Sequence, residues 1–193
     1  MIPNILKEVA DRGYVVFTKG DYNLNIIGVR SKSVESNKFD DTMYIVFKQN
    51  DTWIQFKFPI TTDPGLYYLN NPMGVNGTAI VCEGQYRGIY KLGLHRGSYE
   101  ALVQTGGKIK IYRDRNKDEI LDHEPTSLID GYFGINIHRA STRTNSNNVD
   151  KWSAGCQVFQ NVYDYNIFIA LCKKSAELYG NSFTYTLMEN YNE

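Results

Sequence analysis

Met43-Tyr44-Ile45-Val46-Phe47-Lys48 and Thr52-Trp53-Ile54-Gln55-Phe56-Lys57-Phe58 flank the short polar loop Gln49-Asn50-Asp51. Both runs are rich in aromatic and β-branched residues, and the loop between them carries Asn and Asp, so the stretch predicts a β-hairpin. Strand periodicity continues upstream through Asn23–Arg30 and Tyr14-Val15-Val16-Phe17. Only residues 3–12 follow helical spacing, with Ile5, Leu6, Val9 and Ala10 ahead of a stop at Gly13. Downstream, Thr61-Thr62-Asp63-Pro64-Gly65 is a turn, and strands are expected near 78–83, 88–95, 99–104 and 108–113 between glycine-containing turns. Ile135–His138 is another strand, residues 140–151 a polar loop, 161–178 a helix ending at Gly180, and 182–187 a last strand. The hairpin thus opens a mainly β (α+β) chain, residues 1–193 read as one domain with a helix at each side.

The composition narrows the function classes. Of 193 residues 42% are hydrophobic and 22% charged, the balance of a globular chain. Lysine plus arginine (21) equals aspartate plus glutamate (21), which argues against nucleic acid or an anionic membrane as partner. No apolar run is long enough to span a bilayer, so no membrane insertion is expected. The N-terminus has no basic region followed by an apolar one, so the chain reads as made in the cytoplasm without a signal peptide. Fifteen tyrosines and nine phenylalanines suit a sheet-rich core.

Cys82, Cys156 and Cys172 form neither a disulfide framework nor a zinc pattern. Cys82 ends the apolar run Thr78-Ala79-Ile80-Val81, and Cys172 lies on the apolar face of the expected helix, so both read as inert core thiols. Cys156 differs. It stands in Trp152-Ser153-Ala154-Gly155-Cys156-Gln157, one polar loop after His138 in Ile135-Asn136-Ile137-His138-Arg139. A thiol becomes a nucleophile when a base takes its proton, and imidazole, with a pKa of about 6.5, is the usual base near neutrality. Gly155 permits a tight turn that aims backbone N–H groups, that of Cys156 included, at a developing oxyanion. Ser153 is placed to brace the loop or bind substrate. His95, in Gly93-Leu94-His95-Arg96-Gly97-Ser98-Tyr99, reads as a surface-loop histidine, with substrate contact or an alternative base as the functional reading.

Ile137-His138, a loop, then Ser153-Ala154-Gly155-Cys156 resembles the signature of the L,D-transpeptidase catalytic-domain family. The turn Thr61-Thr62-Asp63-Pro64-Gly65 is similar to a Thr-x-x-Pro-Gly turn of that family, which extends the resemblance over roughly residues 43–160. Tyr22–Arg30 and Gly84-Gln85-Tyr86-Arg87-Gly88 look like a divergent branch carried by phages and their bacterial hosts. The resemblance implies an L,D-transpeptidase-like β-sandwich flanked by the N-terminal helix and the helix after the cysteine. It implies Cys156 as nucleophile, His138 as general base, the amides of Gly155 and Cys156 as the oxyanion hole, and Ser153 in support. The departures are Val158 where the family has arginine, Arg139 where it has glycine, and Ala154 where histidine is common. Arg139 or Arg143 is then the candidate guanidinium for a substrate carboxylate.

The expected partner is peptidoglycan. The expected reaction is hydrolysis of a stem peptide through an acyl-thioester at the bacterial cell wall, as in an endolysin peptidase. Cross-linking by transpeptidation is the alternative, and a non-catalytic wall-binding or virion component the alternative of a different class. No cofactor is expected. Asp114, Asn116, Asp118 and Asp122 take positions 1, 3, 5 and 9 of a calcium-loop spacing. Glu119 at the sixth place and Pro125 at the twelfth break it, so the stretch reads as a charged turn with calcium as the alternative. His123 beside it reads as solvated, and the oligomeric state stays open.

Overall fold

The computed structural model describes residues 1–33, 35–143 and 145–191. The hairpin forms as strands β2 (Asp41–Gln49) and β3 (Thr52–Thr61), paired without interruption from Gln49↔Thr52 to Asp41↔Ile60. The connection is two residues, not three: Asn50 (φ 49°) and Asp51 (φ 58°) both adopt the left-handed conformation that a tight hairpin of this twist requires.

Alternation along β2 feeds two cores. Met43, Ile45 and Phe47 enter the main core, while Tyr44 and Val46 face helix α1 (Asn4–Asp11). Ile5, Leu6 and Val9 of α1 pack there with Ile27 and Met188, which is why β2 is apolar on both faces while β3 exposes Gln55 and Lys57.

The remaining strands of the main sheet are β1 (Asn25–Arg30), β5 (Gly84–His95), β6 (Tyr99–Gln104), β9 (Ile137–Arg139), β10 (Gln157–Phe159) and β11 (Phe183–Glu189). Hydrogen bonding closes them into a ring in the order β1-β11-β5-β6-β9-β10-β3-β2. Two pairs, β1 with β11 and β9 with β10, are parallel. A separate sheet holds β4 (Thr78–Val81), β7 (Ile109–Asp114) and β8 (Ile129–Gly131) in the order β4-β7-β8. The chain is therefore mainly β with flanking helices, but its large sheet is a closed ring where two stacked sheets were expected. Parallel pairing of β1 with β11 joins opposite ends of the chain, a contact no local pattern announces.

Helix α3 (Val162–Tyr179) begins at Asn161, whose side chain accepts from Tyr163 N at 2.7 Å, and ends at Gly180 (φ 88°). It lays Tyr165, Phe168, Ile169 and Cys172 against Phe159, with the Phe159 and Phe168 rings stacked at 4.9 Å. Cys172 is fully buried there, as expected. Cys82 instead lies just past β4, partly exposed, with Sγ 3.2 Å from the Tyr112 hydroxyl.

Tyr14–Phe17 is not a strand. The run is held by side-chain amides in place of a ladder: Gln85 bonds both N and O of Val15, and Asn25 both N and O of Phe17. A short helix, α2 (Leu66–Asn70), follows the Thr61–Gly65 turn and buries Leu69 against Ile80 and Leu121. Among the described residues no helix is long and apolar enough to cross a membrane.

Candidate active site

Parallel pairing of β9 and β10 sets the site. Gln157 lies opposite Ile137 and Val158 opposite His138, so Cys156, just before β10, is level with Asn136. The Asn136 N–H donates to Cys156 Sγ at 3.4 Å, and the thiol reaches Gly134 O at 3.7 Å. His138 follows Asn136 by two residues, and a period of two puts both side chains on one face.

His138 is buried. Its Nδ1 donates to the carbonyl of Arg139 at 2.8 Å. The Tyr99 hydroxyl donates to the same carbonyl at 3.3 Å and lies 3.2 Å from Nδ1. This network assigns the proton to Nδ1 and leaves Nε2 as the basic atom. The orienting partner of the base is thus a backbone carbonyl, which the sequence left undecided.

Burial, with the His95 imidazole adding to it, pushes the His138 pKa down to about 3. Cys156 is partly exposed, and the packing around its sulfur pushes the thiol pKa up, against the opposing pull of the Asn136 N–H. At neutral pH the thiol and the imidazole each rest neutral.

Ser153, fully buried, braces the turn from inside. Its Oγ accepts from Gly155 N at 3.1 Å and donates to Cys156 O at 2.8 Å. Ser153 O in turn accepts from Gly65 N at 2.9 Å, which ties the Thr61–Gly65 turn to the cysteine loop. Gly155 has φ +115°, and a Cβ there would stand 2.5 Å from Ala79 O, so the position demands glycine twice over. Its amide, however, is already held by Ser153. Of the expected oxyanion donors, the Cys156 N–H is the one with no acceptor among the described residues, and Gly155 serves through its conformation.

Gln157 is buried beneath the nucleophile, accepting from Tyr185 Oη at 2.7 Å and reaching Thr62 O and Gly155 O at 3.4 Å. Val158, where the resembled family has arginine, is fully buried. Arg139 lays its guanidinium 3.9 Å from the Tyr99 ring centroid. It borders a groove of about 360 Å³ whose other walls include Tyr99, Glu100, Tyr165 and Lys173. Arg143 stays exposed in the polar loop, its amide donating to Ser141 Oγ, and no contact among the described residues joins its side chain to Cys156 or His138.

His95 is no surface-loop histidine. It ends β5, is buried, and stacks on His138 with centroids 4.1 Å apart and planes at 24°. Asn136 Nδ2 donates to its Nδ1 at 3.1 Å. Asn136 and Tyr99 belong to the site without a motif to mark them; the one signal in the sequence is that an amide two places before the histidine shares its face.

Elsewhere, Asn116 donates to both Asp118 and Asp122, and Asp122 N to Asp114, so the charged turn is closed by its own hydrogen bonds. Among the described residues no group of three His, Cys, Asp or Glu is placed to hold a metal ion. His123 is half-buried, not solvated: its ring stacks on Tyr112 at 5.4 Å, with Nδ1 4.0 Å from Glu189. Compared with family models, with curated proteins and with solved structures, the chain finds no match.

Proposed function

We propose that the chain is a cysteine acyl-transfer enzyme that hydrolyses peptidoglycan stem peptides, with an L,D-transpeptidase-like arrangement of its site. One observation carries the reading. A histidine whose Nδ1 is fixed by a backbone carbonyl lies on the strand beside a cysteine whose sulfur receives a backbone N–H. That is the nucleophile, base and orienting group of covalent acyl transfer. The ordered Ser-x-Gly-Cys turn and its tie to the Thr61–Gly65 turn support the likeness to the L,D-transpeptidase family.

In the proposed reaction Sγ of Cys156 bonds to the peptide carbonyl carbon as its proton passes to His138 Nε2. The Cys156 N–H receives the oxyanion. The C–N bond then breaks, and the amine leaves with the proton from His138. Water, deprotonated by the same Nε2, attacks the thioester, releasing the acid and restoring the thiol. An amine acceptor in place of water gives transpeptidation by the same steps. The site of action in this reading is the bacterial cell wall, and no metal takes part.

Mass spectrometry of muropeptides after incubation of purified peptidoglycan with the protein tests this. Loss of a cross-bridge or a shortened stem is expected, and Cys156→Ala should abolish it with an unchanged melting temperature. A new cross-link would move the reading to transpeptidase. Product formation by Cys156→Ala would overturn the covalent mechanism, and no change with the wild-type protein would favour a binding role.

A further inference from the structure

We propose that His95 is a positioning residue, which together with Asn136 holds the ring of His138 in the one orientation that serves Cys156. The proposal deepens the acyl-transfer reading and rests on it for its kinetic arm alone.

Asn136 is fully committed on both sides of its amide. Oδ1 accepts from Gln104 N at 3.0 Å, so Nδ2 is the group that faces His95 Nδ1 and donates to it at 3.1 Å. His95 therefore carries its proton on Nε2, the opposite tautomer from His138. The same Asn136 gives its backbone N–H to Cys156 Sγ and its backbone O to Gln157 N at 3.0 Å. One residue thus registers the sulfur and, through His95, the face of the base.

The two rings stack nearly parallel, and the second face is not left to solvent. Around them stand Arg96 after β5, Arg139 on β9 and Tyr99 on β6, and among the described residues no carboxylate contacts either ring. A proton on either imidazole would meet the other ring and two guanidiniums with no anion to balance it. Burial and Arg96 push His95 down, as burial and His95 push His138 down. A catalytic histidine oriented by a carboxylate gains basicity. Here a carbonyl orients it and a second neutral ring holds it, so the base is kept unprotonated and correctly turned at the expense of basicity.

Ring-nitrogen NMR of the full chain in the Cys156→Ala background tests the pairing without substrate. It should find His138 as the Nδ1–H and His95 as the Nε2–H tautomer at pH 7. His95→Phe keeps a flat ring but offers Asn136 no acceptor. It should leave the Nδ1–H tautomer of His138, which the Arg139 carbonyl sets, but loosen the ring, read as broadened and shifted ring resonances, and lower kcat on muropeptides by roughly 10²-fold, the scale of a small misplacement of a reacting group, with KM unchanged. His95→Gln, which restores an acceptor without the second imidazole, should recover part of kcat and raise the titration midpoint of His138. If His95→Phe does not fold, the Gln variant carries the NMR reading. Unchanged His138 ring resonances and kcat in the variants would overturn the proposal, as would an effect on KM alone, which would make His95 a substrate contact. Expected ring shifts in a protein that turns over no peptidoglycan would sustain the pairing and sink the acyl-transfer reading.

Discussion

The backbone N–H of Asn136 points at the sulfur of Cys156 across a parallel ladder, 3.4 Å away. His138 and Cys156 are both placed by the register of two three-residue strands, β9 and β10, and the polar loop between them only spans the crossing.

That single N–H does not offset the packing around the thiol, whose pKa is raised, so Cys156 rests protonated. Alkylation by iodoacetamide, followed at Cys156 by peptide mass spectrometry, should therefore quicken about tenfold per pH unit between pH 7 and 9. The sign is direct: a raised thiol pKa lowers the thiolate fraction at every pH below it. A rate that is already flat from about pH 5 would reveal a thiolate–imidazolium pair and contradict the neutral resting state.

His138 sets the acid side. Its folded pKa, about 3, lies below the ordinary 6.5, so between those values the unfolded chain binds a proton that the folded chain refuses. The stability this gives is present above pH 6.5 and lost as pH falls towards 3. Asp41 acts in the opposite sense. Raised to about 7 by burial and by Asp63, it stabilises the fold at low pH and loses that contribution as pH rises through 7. Subtraction separates them. The denaturation free energy of wild type minus that of His138→Gln should decline between pH 6.5 and 3.5, while Asp41 cancels. A difference independent of pH would mean that the folded imidazole protonates as freely as the unfolded one.

Ser153→Ala tests the brace of the turn. The substitution leaves Gly155 N and Cys156 O without their buried partner, a loss of about 1–3 kcal/mol. Chemical denaturation should show that loss, and kcat should fall with little change in KM, because the turn's grip on Cys156 and not a substrate contact is removed. Gly155→Ala should be harsher on both counts, since φ +115° and the nearby Ala79 carbonyl each oppose a side chain. Wild-type kcat in Ser153→Ala would assign the serine to folding alone.

The parts of this structure legible in the sequence are those specified locally. The hairpin could be read from apolar runs around Asn50-Asp51, α1 from its stripe, α3 from its stop at Gly180, and Cys156 with His138 from glycine, polar loop and strand. What escaped is set by distant pairing. The ring closes through β1 and β11, β8 and β10 are three-residue strands with no period to detect, and Tyr14–Phe17 has the residues of a strand but amide side chains as its partners. His95 looked like a loop histidine because β5 runs through glycines up to it. Only the three-dimensional pairing of β5, β6 and β9 brings it over His138.

Behind the cysteine turn lies a buried charge whose removal makes the sharpest stability test. Arg30 is almost fully buried, and its guanidinium donates to Thr62 Oγ1 at 3.0 Å, Val81 O at 2.9 Å and Glu189 at 2.8 Å. Asp63 Oδ1 lies 3.1 Å from its Nε but receives no hydrogen bond, because that N–H is aimed at Thr62. The Asp63 carboxylate thus meets Arg30 through charge and not a hydrogen bond, with burial raising its pKa and Arg30 lowering it. Arg30→Met should cost about 3–5 kcal/mol in urea denaturation at pH 7, the scale for stranding a buried charge. If the loss comes from the stranded carboxylate, adding Asp63→Asn should return part of it, so the double variant is more stable than the sum of the single effects predicts. Strict additivity would show that Arg30 matters through Thr62 and Val81, as a hydrogen-bonding post beneath the Thr61–Gly65 turn. The thiol reactivity of Cys156 would then change in Arg30→Met whether or not Asp63 is present, since Thr62 O is also the contact of Gln157 beneath the nucleophile.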